Sequence, residues 1–336
     1  MMASARTLTL LASAALASAC QSAPERPKKV ITTVDRPASG TARMPGQESG
    51  WELVWADEFD GDEIDIGKWQ FDVDCWGGGN NERQCYTDSP RNAAVADGVL
   101  RIVARKESHT GPAYPPHVKA SQSDPDALAT KPFTSARLVT RGKAAWQYGR
   151  IEVRARLPQG QGTWPAIWML PEDNAYGTWA ASGEIDILEA VNLGVPCAKC
   201  PGGVEDTILG TLHFGGLWPD NALNSSEMHA PEVLEGFHTY GIVWAPGVIE
   251  WTHNGQVFAR KEAGSWWSVN SADPLAPFDK PFHLILNLAI GGGLAEERGL
   301  GGVDETGFPK SLDVDWVRVW QCRPDPANGA GCTGDR

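Results

Sequence analysis

The stretch Ser182-Gly-Glu-Ile-Asp-Ile-Leu-Glu-Ala190 decides how the rest of the chain is read. Glu184 and Asp186 alternate with Ile185 and Ile187, the two-residue period of a strand with one open and one buried face. The next position on the acidic face is Leu188, so Glu189 joins it only if one extra residue bulges out at Ile187 or Leu188. A helix fits poorly, because residues five apart sit roughly 140° from each other around its axis. With the bulge, two glutamates flank an aspartate on one surface. Like charges that close raise at least one pKa, so one glutamate keeps its proton while the other is ionised.

Acid runs are most often solvated faces. This one is interleaved with Ile185, Ile187 and Leu188 and preceded by Trp164, Trp168 and Trp179, which favours a carboxylate-lined cleft with aromatic walls. A nucleophile and a proton donor about 5 Å apart are what a retaining glycosidase needs.

Outward from this stretch the chain shows short alternating runs and little helical period. Glu52–Trp55, Gly98–Ala104, Gly149–Arg156, Ala166–Leu170, Thr207–His213, Thr239–Trp244, Val248–Trp251, Phe282–Ala289 and Leu312–Trp320 read as strands. His253-Asn254-Gly255-Gln256 reads as a hairpin turn, with Asn-Gly where a type I′ turn requires it. Many short strands between turn signals predict an all-β sandwich. Residues 106–133 read as a surface loop between strands. No internal repeat and no second folded domain is visible.

Fifteen Trp against 9% aromatic residues is unusual, and the rings divide between sandwich core and sugar-stacking surface. A net charge of -13 without basic clusters excludes nucleic acid as a partner. At the N-terminus, Arg6, the apolar run Leu8–Leu16 and Ala17-Ser-Ala19 read as an export signal over 1–19, with Cys20 directly after it. That order is similar to a bacterial lipoprotein signal with a lipidated Cys20. Ordinary cleavage after Ala19, leaving a free thiol, is the alternative. Residues 20–50 read as a disordered tether, 51–323 as the folded domain and 324–336 as a short tail.

Seven cysteines leave an even six once Cys20 is set aside. Cys75/Cys85, Cys197/Cys200 and Cys322/Cys332 form local pairs, read as disulfides in an exported protein. Half a zinc site at Cys197/Cys200 is less consistent, since no second pair stands at ligand spacing. The localisation expected is an outer-membrane or cell-surface lipoprotein, with periplasmic or secreted as the alternative. The lipid is the only membrane contact, and the chain reads as a monomer.

Beyond these readings, the residues resemble a known family. Trp51-Glu-Leu-Val-Trp-Ala-Asp-Glu-Phe-Asp-Gly61, Gly78-Gly-Asn-Asn-Glu82, Thr134-Ser-Ala-Arg137, Thr163-Trp-Pro-Ala-Ile-Trp168, Gly183–Glu189, Asn287-Leu-Ala-Ile-Gly-Gly292 and Asp315–Trp320 are similar, in order, to glycoside hydrolase family 16. The resemblance implies a concanavalin A-like β-jelly-roll sandwich with a concave cleft. The six-residue acid motif with its bulge resembles laminarinase-like endo-β-1,3-glucanases, though agarases and carrageenases share it. It implies Glu184 as nucleophile, Glu189 as acid/base, and Asp186 between them as a hydrogen-bonding, charge-balancing group. Trp164 and Trp179 match tryptophans that stack on sugars, Asn81 and Arg137 match polar residues that bind substrate, and His213 leads toward the cleft. Each aromatic and His213 also has a purely structural reading.

No cofactor is implied for catalysis. Asp315 matches the aspartate of one structural calcium ion, completed by carbonyls near Glu58 and Gly98. The partner implied is a β-glucan polysaccharide. After Ile290 the chain reads Gly-Gly-Gly-Leu-Ala-Glu-Glu-Arg298, where laminarinases often carry Asn-Trp, and the Pro196–Gly203 loop is its own. Mixed-linkage β-glucan, an algal galactan, or a non-catalytic β-glucan-binding role therefore stand as alternatives.

Overall fold

Runs that alternate in sequence pair in space as two sheets. The computed structural model describes residues 50–298, 301–327 and 332. The expected export signal, Cys20 and nearly all of the tether lie outside the described residues. With strands numbered in chain order, one sheet runs β12 (Asn221–His229), β11 (Thr207–Gly215), β10 (Glu184–Glu189), β9 (Thr163–Pro171), β16 (Phe282–Ile290), β7 (Arg137–Val139) and β2 (Gln70–Asp72).

The other sheet runs β15 (Gln256–Glu262), β14 (Val248–His253), β13 (His238–Ala245), β8 (Gly149–Arg156), β17 (Lys310–Cys322), β5 (Val99–Pro112), β6 (Leu128–Ser135) and β3 (Gln84–Tyr86). There β1 (Trp51–Asp57) joins β17, and β4 (Ala93–Ala96) joins β5. Only the β3–β6 pair is parallel among the described strands.

The inner faces of the two sheets share one core. Ile167, Met169, Ile185, Leu212, Leu284 and Leu286 from the first meet Ile151, Val153, Ile242, Trp244, Trp251 and Val317 from the second. This is the all-β jelly-roll sandwich that the strand pattern and the resemblance predict. Trp69, Trp244 and Trp251 are fully buried, whereas Trp179, Trp218 and Trp267 are exposed, so the tryptophans divide as expected. Asn254 and Gly255 both adopt positive φ, 49° and 76°, which is the type I′ turn of the β14–β15 hairpin. Cys75–Cys85, Cys197–Cys200 and Cys322–Cys332 are disulfides.

The reading of 106–133 as a loop needs correction. β5 continues to Pro112 and β6 resumes at Leu128, so the connection is 113–127 with one short helix, α1 (Pro116–Lys119). Past Arg105 these strands pair mainly with each other and stay largely solvated, so they need no apolar alternation; Thr110 and Thr130 hydroxyls meet across them at 2.7 Å. β12 escaped the sequence reading for the same reason. It is an edge strand with no fully buried residue.

Candidate active site

The bulge predicted within the acid stretch is present. Against β11, Asp186 pairs with Thr211 and Glu189 with Leu209; against β9, Asp186 pairs with Trp168 and Leu188 with Ile167. β10 therefore carries one residue more than its neighbours. Ile185, Ile187 and Leu188 go into the core, while Glu184 and Glu189 stay partly exposed on the open face.

A tryptophan from the opposite sheet fixes this geometry. Trp251 Nε1 crosses the core to donate to the main-chain carbonyl of Asp186 at 2.8 Å. Its ring fits only because position 210 lacks a side chain: a Cβ on Gly210 would lie 2.3 Å from Trp251 Cδ1. Gly210→Ala must displace that indole. The expected cost is about 1–3 kcal/mol of stability, read as a lower Tm, together with reduced activity. An unchanged Tm would show that the indole does not hold the bulge.

The carboxylates are held by indoles and a histidine. Trp179 Nε1 donates to Glu184 Oε2 at 2.7 Å, and Trp164 Nε1 donates to Glu189 Oε1 at 2.9 Å. His213, opposite Glu184 on β11, brings Nε2 to 3.3 Å from Asp186 Oδ2 and 3.8 Å from Glu184 Oε1. Burial pushes the Asp186 carboxyl well above the usual range, Glu184 and Glu189 add to the shift, and His213 opposes it.

Burial alone pulls the His213 imidazole down, but the hydrogen bond to Asp186 and the three carboxylates outweigh it and raise it to about 10. A cationic His213 is the state that lets several acids share this face. Burial likewise lifts Glu189 to about 6, against the Trp164 hydrogen bond and with help from the charge of Glu184. The site thus holds an acid that is protonated in mildly acidic solution beside a second carboxylate.

The other expected residues divide. Trp179 is exposed and its ring lies 5.6 Å from that of His213. Trp164 is buried with Val191, Ala289 and Ala295, so its visible work is to hold Glu189 rather than to offer a face. Arg137 falls in one cross-strand row with Glu189, Ala166 and Asn287. Its guanidinium packs 4.4 Å from the Tyr86 ring and 5.5 Å from Trp168. Asn81 sits exposed at φ 60° in the turn beside Gly292 and Gly293.

Two side-chain networks escaped the sequence reading. Trp168 Nε1 donates to Asn287 Oδ1 at 2.6 Å, and Asn287 Nδ2 donates to the Tyr86 hydroxyl at 3.1 Å. Asn192 Nδ2 donates to the carbonyls of Ala295 and Arg298, fixing α2 (Gly293–Glu297) along the rim, where Arg298 pairs with Glu227 at 2.8 Å. In sequence Asn192 and Asn287 look like isolated polar residues, and Trp168 shows only as an aromatic wall.

The calcium residues lie away from this site. Asp315 accepts a hydrogen bond from Arg154, and Glu58 takes a two-pronged pair from Arg318 at 2.8 and 2.9 Å. Gly98 lies in the β4–β5 turn at φ 72°. The Asp315 carboxylate, the one side-chain donor expected beside carbonyls near Glu58 and Gly98, already has a guanidinium partner. It therefore fits a calcium ion poorly as it stands, and no chemistry is derived through one.

Comparison with known proteins gives a consistent result. A model described as "Glycosyl hydrolases family 16" matches residues 113–318. The chain is 38% identical to glucan endo-1,3-beta-glucosidase A1 of Niallia circulans over 89% of this chain and 42% of that protein, less than half its length. It is 41% identical to a beta-glucanase of Rhodothermus marinus over 81% of this chain and 85% of that one. Among solved structures, the laminarinase from Rhodothermus marinus aligns with a TM-score of 0.66 at 41% identity, covering 80% of this chain and 97% of that one.

Proposed function

We propose that this chain, which belongs to glycosyl hydrolase family 16, is an endo-acting retaining hydrolase of β-1,3-glucan. The observation that carries the reading is the bulged β10, which sets Glu189, lifted to about 6, on one face with Glu184. The names of the relatives supply the polymer. In the first step Glu184 attacks the anomeric carbon while Glu189 gives its proton to the departing glycosidic oxygen. The bond to that oxygen breaks, and an ester to Glu184 forms.

Forming that ester removes the negative charge of Glu184, one of the causes that lift Glu189. The pKa of Glu189 therefore falls just after it has lost its proton. It remains ionised and is ready to take a proton from the attacking water, which releases the sugar with its original configuration. His213, 3.8 Å from Glu184 and 3.3 Å from Asp186, places a cation beside the group that attacks the sugar.

The pH profile follows with a definite sign. Loss of the Glu189 proton ends the first step, so kcat/KM on laminarin falls as pH rises past about 6. Arg298 is a nearby cation that holds Glu189 down, so Arg298→Gln moves the falling limb to higher pH. A limb that does not move, or moves down, contradicts the assignment of that limb to Glu189.

Export fits the same reading. The six cysteines outside the N-terminal segment are all paired, which suits an oxidising compartment and leaves Cys20 for a lipid. Reducing-end release from laminarin, lichenan and agarose tests the substrate. Laminarin is expected to be cleaved fastest, and preference for agarose would discard the glucan.

A further inference from the structure

The open face beyond Glu184 carries more exposed aromatic surface than two acids and a histidine require. Trp218 is 73% exposed and Trp267 48%, in a protein that buries Trp69, Trp244 and Trp251 completely. Leu217, Leu223 and Val269 are exposed with them. Three loops bring these residues together. Trp218 N donates to the carbonyl of Trp179 at 3.1 Å, which ties the 215–220 loop to the residue that also holds Glu184.

Gly177, in the loop that bears Trp179, has Leu217 on one side and Asn270 on the other, each 3.2 Å from where its Cβ would stand. The Trp267 ring packs over Gly215, where a Cβ would come within 3.0 Å of it and φ is 99°. Leu223, on β12, pairs directly with His213. The apolar surface is therefore continuous with the candidate nucleophile through Trp179 and His213.

We propose that Trp218 and Trp267 form an additional binding platform, continuous with the cleft on its Glu184 side, for further glucosyl units of a β-glucan chain. The inference rests on the glucanase reading above. A neutral sugar offers an apolar C–H face to an indole and hydroxyls to the rim, so exposed tryptophans next to a sugar-cleaving site suit it. The net charge of -13 disfavours sulfated or uronic polymers on the same surface. The platform would act only on chains long enough to reach it. It would distinguish polymer from short oligosaccharide and leave the chemical step untouched.

The test uses the full chain carrying Glu184→Gln, so that ligand is bound and not cleaved, alone and with Trp218→Ala, Trp267→Ala or both. Calorimetric affinity is measured for a β-1,3-linked trisaccharide and for long laminarin. Each alanine should weaken laminarin binding roughly tenfold and leave the trisaccharide unchanged. Unaltered laminarin affinity in the double variant overturns the platform while leaving the glucanase reading intact. Failure of the Glu184→Gln parent to bind β-1,3-glucan of any length overturns both. Sedimentation of the same proteins covers the remaining occupant: self-association lost on the alanine changes, with glucan affinity kept, would make the patch a contact between copies of the chain.

Discussion

Replacing Glu184 by Gln is expected to remove laminarin hydrolysis by at least about 10⁴-fold, because a neutral amide cannot form the glycosyl ester. The fold should be unaffected. The amide oxygen still accepts from Trp179 Nε1, which is 2.7 Å from Glu184 now, and the side chain is close in size. The charge change should also reach its neighbours. Glu184 raises both His213 and Glu189, so both pKa values should fall in the variant, Glu189 to below about 6. Retained activity with a normal Tm would mean that another group attacks the sugar.

The second large effect is at the acid. Glu189→Gln should slow laminarin cleavage by about 10²–10⁴-fold, through loss of the proton that the glycosidic oxygen takes as it departs. The loss should depend on the leaving group. An aryl glycoside whose phenolate departs unprotonated should form the ester at near the parent rate, then stall for want of a base. Added azide, which needs no proton removed, should restore turnover. An equal loss on both substrates without azide rescue would assign Glu189 a role other than acid and base.

Much of this site was legible in the sequence because its logic is local. Glu184, Asp186 and Glu189 lie within one strand, and the spacing of the last acid required a bulge before it could join the first two. The hairpin at Asn254-Gly255 was legible because two positive φ values need those residue types.

What stayed hidden depends on contacts between distant segments. Trp251 lies 65 residues from Asp186 yet carries the hydrogen bond at the bulge. The only trace of it was Gly210, a glycine inside a strand, which marks close approach by another group. The Trp168–Asn287–Tyr86 chain links three strands that sequence alone does not align. The solvated arms of β5 and β6 and the edge strand β12, which sends only Ala222 and Met228 against the core, carried too little apolar alternation to read. For calcium, the resemblance pointed to Asp315, but could not anticipate that Arg154 would occupy its carboxylate.

The central claim is double displacement on β-1,3-glucan by Glu184 and Glu189, and the configuration of the first product tests it most directly. Laminarin digested in an NMR tube should release new reducing ends as the β-anomer, with the α-anomer growing only later by mutarotation. Prompt appearance of the α-anomer would mean direct attack by water and would contradict the roles given to both glutamates.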